Sequence, residues 1–152
     1  MKIAIGSDHA GYQLKDIVVN YLKEQQYEVV NFGVDNSTVV DYTDIAIKVA
    51  EAVGSGEYDR GILICGSGIG MSIAANKIPG VRAALCTDPY CARMSREHND
   101  ANILALGERV IGRGIAIDIV QTWLSTEFSN GERHVYRLGQ IADLEKRYGG
   151  KG

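Results

Sequence analysis

Five short apolar runs, each followed by a stretch of helical spacing, confine this chain to few folds. The runs are "KIAIG" (2–6), "EVVNFG" (28–33), "RGILIC" (60–65), "VRAALC" (81–86) and "NILALG" (102–107). Each is too short for a helix and reads as a buried strand. Between them, Leu14, Ile17, Val18, Tyr21 and Leu22 recur at helical spacing and predict a helix over 11–25. "VDNSTVVDY" (34–42) is a polar loop, after which Thr43 or Asp44 caps a helix reaching about Gly54. A short helix near 70–77 stops at "PG" (79–80), and another runs from Pro89 to His98. Ile115, Ile119 and Trp123 form a stripe on a helix over 112–126. Leu138, Ile141, Leu144 and Tyr148 mark a last helix over about 133–149. Strands that alternate with helices in this way build an open parallel sheet covered on both faces, an α/β fold. At 152 residues without a linker or repeat, the chain is a single domain, 1–152.

In such a sheet, ligands bind beyond the carboxyl ends of the strands. The rule gathers Ser7, Asp8 and His9 after the first strand, Cys65 to Gly70 after the third, Asp88 after the fourth, and Glu108 and Arg109 after the fifth. It adds Asp41 and Tyr42 from the long polar loop, and places the His98-Asn99-Asp100 helix end near the same rim.

The rim residues suggest a chemistry. Gly66, Gly68 and Gly70 free consecutive amides to turn toward an oxyanion or phosphate. Cys65 precedes them, and on its residue type alone it is a packed neutral thiol, a nucleophile or a base. Cys86 ends its strand without a glycine loop and reads as structural. Arg133 and Arg137 share one face of the last helix, with His134 beside them. The bland alternative is a solvated arginine face, and Arg109 on the rim is the better single phosphate ligand. His98 can carry a proton either way, since a free imidazole titrates at about 6.5. A base, an anion cradle, a second acid/base and several cations suit proton abstraction beside a carbonyl in a small phosphorylated molecule.

Composition removes other classes. A net charge of −3 without a basic block gives nucleic acid no foothold. No apolar run approaches a membrane span, and the amino terminus reads as a strand. Three cysteines, an odd count, read as free thiols in a reducing, cytoplasmic compartment. Cys86, Cys91 and His98 lack the C-x-x-C pair of a zinc site, so neither metal nor redox cofactor is assigned. "GSGIG" superficially fits a dinucleotide fingerprint, but its third glycine position is Met71 and it follows the third strand rather than the first.

"GSDHAG", "DY", "ILICGSGIGMSIAANK", "REHNDANILALGERV" and "GERHVYRLGQI" occur in order across nearly the whole chain. Together they resemble the type B ribose-5-phosphate isomerases, whose family also holds galactose-6-phosphate and allose-6-phosphate isomerases. The resemblance implies a three-layer α/β/α sandwich with strands ordered 2-1-3-5-4. It implies that Cys65 moves the proton between C1 and C2, that Ser67 and His98 assist ring opening, and that amides from Gly66 through Ser67, Gly68, Ile69 and Gly70 hold the enediolate. By the same resemblance Asp8 and His9 contact the sugar or its phosphate, Asn99 binds sugar hydroxyls, and Arg109, Arg133 and Arg137 hold phosphate with His134 close by. Asp41 and Tyr42 border the pocket. Family members are homodimers or tetramers that share sites, so the helix bearing Arg133 and Arg137 is expected to pack on a partner subunit. One branch replaces the cysteine and uses a glutamate just after the loop; Met71 stands there, so this chain resembles the cysteine branch. The resemblance leaves five- and six-carbon sugar phosphates both open, and a catalytically silent sensor would lack the thiol that is present.

Overall fold

In the computed structural model, residues 1–150 are described. The first half forms β1 (Lys2–Ser7), α1 (Tyr12–Glu24), β2 (Glu28–Asn31), α2 (Tyr42–Gly54), β3 (Arg60–Cys65) and α3 (Ile69–Ala75). The second half forms β4 (Ala83–Leu85), α4 (Pro89–Glu97), β5 (Ile103–Gly107), α5 (Arg113–Ser125) and α6 (Glu132–Tyr148). All strand pairings are parallel, in the order β2-β1-β3-β5-β4. The central register sets Ile5 beside Ile62, Leu63 beside Ala105 and Cys65 beside Gly107.

Alternate strand residues serve opposite faces. Ile3, Ile5, Ile62, Ile64, Leu104 and Leu106 pack with Leu14, Val18 and Leu22 of α1 and Ile119 and Trp123 of α5. Ala4, Leu63, Cys65 and Ile103 face the other way, against Val49 and Val53 of α2 and Met71 of α3. Each large aliphatic side chain so buried contributes about 1.5–3 kcal/mol. The result is the expected three-layer sandwich, with α6 outside the layers. Of the residues of α6, His134 alone is buried.

Several expected boundaries and faces shift. β4 keeps three residues of the expected 81–86 run, since it lies at the sheet edge with β5 as its one strand neighbour. Ile115 is exposed, and the buried arc of α5 runs through Ala116, Ile119, Val120, Trp123 and Leu124. On α1, Ile17 and Tyr21 are half-buried while Lys15 is wholly buried. The Lys15 ammonium donates to Asn31 Oδ1 at 3.1 Å, to Asp35 Oδ1 at 2.7 Å and to the Val34 carbonyl, so the charge is fully occupied. A charged residue on a helix is ordinarily assigned to solvent, and this pairing partner lies beyond reach of periodicity.

Candidate active site

The carboxyl ends of β1, β3 and β5 frame a cavity of about 400 Å³. Asp8 and His9 enter from β1, Cys65, Gly66, Ser67 and Gly70 from β3, Arg109 from β5, and Tyr42 from the start of α2. Ala10 and Val110 also line it; both fall inside the quoted motifs, but as apolar residues they were assigned no role.

Three loops are locked together beneath this cavity. The β5 register continues past the strand, with Glu108 N–H donating to the Cys65 carbonyl at 2.9 Å and Arg109 N–H to the Gly66 carbonyl at 3.0 Å. A side chain at Gly107 would stand 2.6 Å from the Ser67 carbonyl, so glycine permits that approach. The Glu108 carboxylate accepts the Leu14 N–H at 2.7 Å, capping the first turn of α1 and tying the Asp8–His9 loop to the Arg109 loop. Asp8 Oδ1 accepts the Ala10 N–H at 2.9 Å, which folds that loop back on itself. His9 Nδ1 accepts the Val40 N–H at 3.4 Å, so its ring proton belongs on Nε2.

The glycine loop divides its amides between two tasks. Gly68 N–H donates to Cys65 Sγ at 3.1 Å, and Ile69 N–H to Ser67 Oγ at 3.2 Å. Gly66, Ser67 and Gly70, all lining the cavity, keep amides without a protein acceptor among the described residues. Gly68 holds φ +80°, and a Cβ there would sit 2.6 Å from Leu85 Cδ1 and 2.9 Å from the Leu106 carbonyl carbon. The Tyr42 ring rests on Gly70, where a Cβ would come within 2.7 Å of it. The Arg109 guanidinium lies over Gly66, with Nη1 3.3 Å from the position of a Cβ there. Since α3 has only seven residues, individual amides and Arg109 supply the positive character here, rather than a long helix dipole.

Three predicted site residues border this group without lining the cavity: Asp41, the N-cap of α2, with Gly68 and Ile69. Asp88 caps α4, accepting the Cys91 N–H at 2.8 Å. Cys86 is buried, and desolvation pushes its thiol up to about 11, as suits a structural residue. Met71 is buried beneath α2 in the core, so the position where a dinucleotide fingerprint has its third glycine holds a packed apolar side chain instead.

One placement requires correction. The sequence puts His98-Asn99-Asp100 near the rim, yet they lie at the opposite, amino-terminal edge of the sheet. α4 runs antiparallel to the strands and carries its last residues back to that edge. There Arg82, just before β4, donates from Nε to the Asn99 carbonyl at 3.0 Å, and Asn102, just before β5, donates to the Arg82 carbonyl at 3.0 Å. His134 joins this second group, its ring stacked on His98 with centroids 4.2 Å apart and planes at 13°. Arg133 and Arg137 flank it, exposed, on α6. The chain therefore carries two halves of its predicted site on opposite edges.

The whole chain has close counterparts among known proteins. A family model described as Ribose/Galactose Isomerase matches residues 3–141. The structure of ribose-5-phosphate isomerase B from Clostridium thermocellum is 63% identical, covers 97% of this chain and 99% of its own, and superposes with a TM-score of 0.95. That of Mycoplasma genitalium, solved with bound ribulose 5-phosphate, is 41% identical over 95% of this chain and 96% of its own, with a TM-score of 0.91. A D-erythrulose-4-phosphate isomerase from Pectobacterium atrosepticum is 43% identical over 96% of this chain and 98% of its own. With the sheet order, the cysteine–glycine loop and these likenesses in agreement, the chain belongs to the ribose/galactose isomerase family.

Proposed function

We propose that this protein interconverts D-ribose 5-phosphate and D-ribulose 5-phosphate through a cis-enediolate. The observation that carries the reading is Cys65, whose sulfur accepts the Gly68 amide while the residue lines a cavity that also holds Arg109 and the open amides of Gly66, Ser67 and Gly70. In the open-chain aldose, the Cys65 thiolate takes the proton from C2. The C2–H electrons form the C1–C2 double bond, and negative charge moves onto the C1 oxygen beside the amides. Transfer of the C2 hydroxyl proton to the C1 oxygen and return of the carbon-bound proton from Cys65 to C1 give the ketose and regenerate the thiolate. The reaction is redox-neutral within one molecule and consumes no cofactor.

Phosphate falls to Arg109, and the second group completes the site from another copy of the chain. His98 assists opening of the furanose with Ser67, Asn99 holds sugar hydroxyls, and Arg133 and Arg137 bind phosphate oxygens. Two observations support a homodimer that shares its sites. The second group faces away from Cys65 in its own protomer, and α6 leaves Val135, Tyr136, Ile141, Leu144 and Tyr148 exposed while burying a single residue. No described helix is long and apolar enough to cross a membrane, and we assign the chain to the cytoplasm.

Substrate length is tested by comparing kcat/KM on ribose 5-phosphate, allose 6-phosphate and galactose 6-phosphate. The five-carbon sugar is expected to lead by at least about tenfold, roughly the discrimination one added carbon allows. A higher value on either six-carbon sugar overturns the ribose assignment.

A further inference from the structure

The His98–His134 stack stands on an arrangement built to hold it. Ser129 donates to the Glu97 carbonyl from both its amide, at 3.2 Å, and its hydroxyl, at 2.7 Å. Arg96, itself buried, reaches from Nε to the Thr126 carbonyl at 3.1 Å. These bonds pin the segment entering α6 to the end of α4. His134 N–H donates to the Gly131 carbonyl at 2.9 Å, and a side chain at Gly131 would stand 3.0 Å from His134 Cδ2, so glycine clears room for the ring. His134 is 8% exposed and lies face to face with His98.

Every charged group acting on His134 is basic: His98 from the end of α4, and Arg133 and Arg137 from α6 itself. Burial first, then these three groups, hold its imidazole below the ordinary histidine range. Two parallel imidazoles with centroids 4.2 Å apart repel each other when both carry a positive charge.

We propose that His134 is the positioning residue of His98, fixing its ring by stacking and limiting the two rings to a single shared proton. The inference rests on the isomerase reading for its consequence, since His98 is there the ring-opening group. A pair restricted to one proton keeps a neutral imidazole available to take the proton of the sugar's C1 hydroxyl. An anion arriving at Arg133 and Arg137 relieves the surplus of positive charge and favours protonation of the pair.

The test follows the histidine ring protons by NMR across a pH titration of the full chain, with and without inorganic phosphate. In the unsubstituted protein, each of the two resonances is expected to respond at both titration steps, and phosphate is expected to move the steps upward. In His98→Phe, which keeps a stacked ring without a charge, the His134 titration is expected to move upward. Independent single-step titrations, or a His134 titration unmoved in His98→Phe, overturn the proposal.

Kinetics give a second readout. His134→Phe is expected to retain more of kcat on ribose 5-phosphate than His134→Ala, while its pH profile loses the second ionisation. Equal loss in the two variants, with an unchanged profile, also overturns it. The titrations need no turnover, so the two readings fail separately. A protein without isomerase activity removes the function and leaves the coupling measurable, whereas an active enzyme with independent histidines removes the coupling alone.

Discussion

Gly68 N–H points at Cys65 Sγ from 3.1 Å, three residues along the same loop. The contact exists because Gly68 adopts φ +80°, which turns its amide back toward the end of β3. A donor held on sulfur by the chain's own backbone orients the group proposed to move the proton. It also explains why glycine stands at this position rather than another small residue.

Cys65→Ala is therefore expected to lower turnover by about 10³-fold, the usual scale for losing a positioned base. Sugar phosphate binding should persist, because the remaining amides and Arg109 are untouched. Stopped-flow turnover and calorimetric binding on the same preparation check both halves, and near-normal turnover would eliminate the thiol as base.

Gly68→Ala strains the backbone and drives a methyl group to 2.6 Å from Leu85 and 2.9 Å from the Leu106 backbone. A left-handed non-glycine residue alone costs about 1–2 kcal/mol, and the overlap adds to it. Urea unfolding should show a loss of more than about 2 kcal/mol, accompanied by lost activity. A variant as stable as the parent contradicts the geometry of this loop.

Arg109→Ala removes the guanidinium that lies over Gly66. The charge-assisted bonds it would make to phosphate are worth about 1.5–3 kcal/mol, so KM should rise between about tenfold and a hundredfold. Initial-rate measurements decide it, and an unaltered KM assigns phosphate elsewhere.

The proposed sharing of sites between two copies of the chain predicts complementation. Cys65→Ala and His98→Ala chains, each defective alone, are mixed, unfolded and refolded together. Half of the resulting dimers are mixed, and each of those keeps one intact site, so about a quarter of the parental activity should return. Absence of recovery, with mixed dimers demonstrated by mass, places both groups in one subunit's site.

Lys15→Met keeps the buried stem and deletes the ammonium, leaving the Val34 carbonyl without its side-chain donor and Asn31 Oδ1 with the Gly33 N–H alone. A loss of about 1–3 kcal/mol is expected near neutral pH. The Lys15 hydrogen bond, followed by that of Asn31, lowers the Asp35 carboxyl below its ordinary range. A depressed carboxylate stabilises the fold above its unfolded value, about 3.9, and the contribution fades as pH falls through the folded value. The stability gap between parent and variant should narrow over that acid window. A gap constant with pH would mean that Asp35 is not coupled to Lys15.

The sheet was legible because strand length and helix spacing are local properties of "RGILIC" or of Leu14, Val18 and Leu22. The rim followed from the rule that places ligands past strand ends, and it brought Asp8, His9, Cys65 and Arg109 together correctly. That rule misplaced His98, since a residue ending a helix of a parallel fold is carried back to the far edge. Spacing equally gave no sign that Glu108 caps α1 or that Lys15 is interior, because both depend on partners distant in sequence. The stack of His98 on His134 joins residues 36 apart, and the motifs named both rings without their contact.

An amine sealed inside a protein is also a clock. Acylating reagents have direct access to exposed lysines such as Lys23, Lys48 and Lys77, but Lys15 has no surface for them to touch. Whatever labelling it acquires must occur while α1 and the segment after β2 stand apart. Its modification rate would thus time the breathing of the corner beside the Asp8–His9 loop.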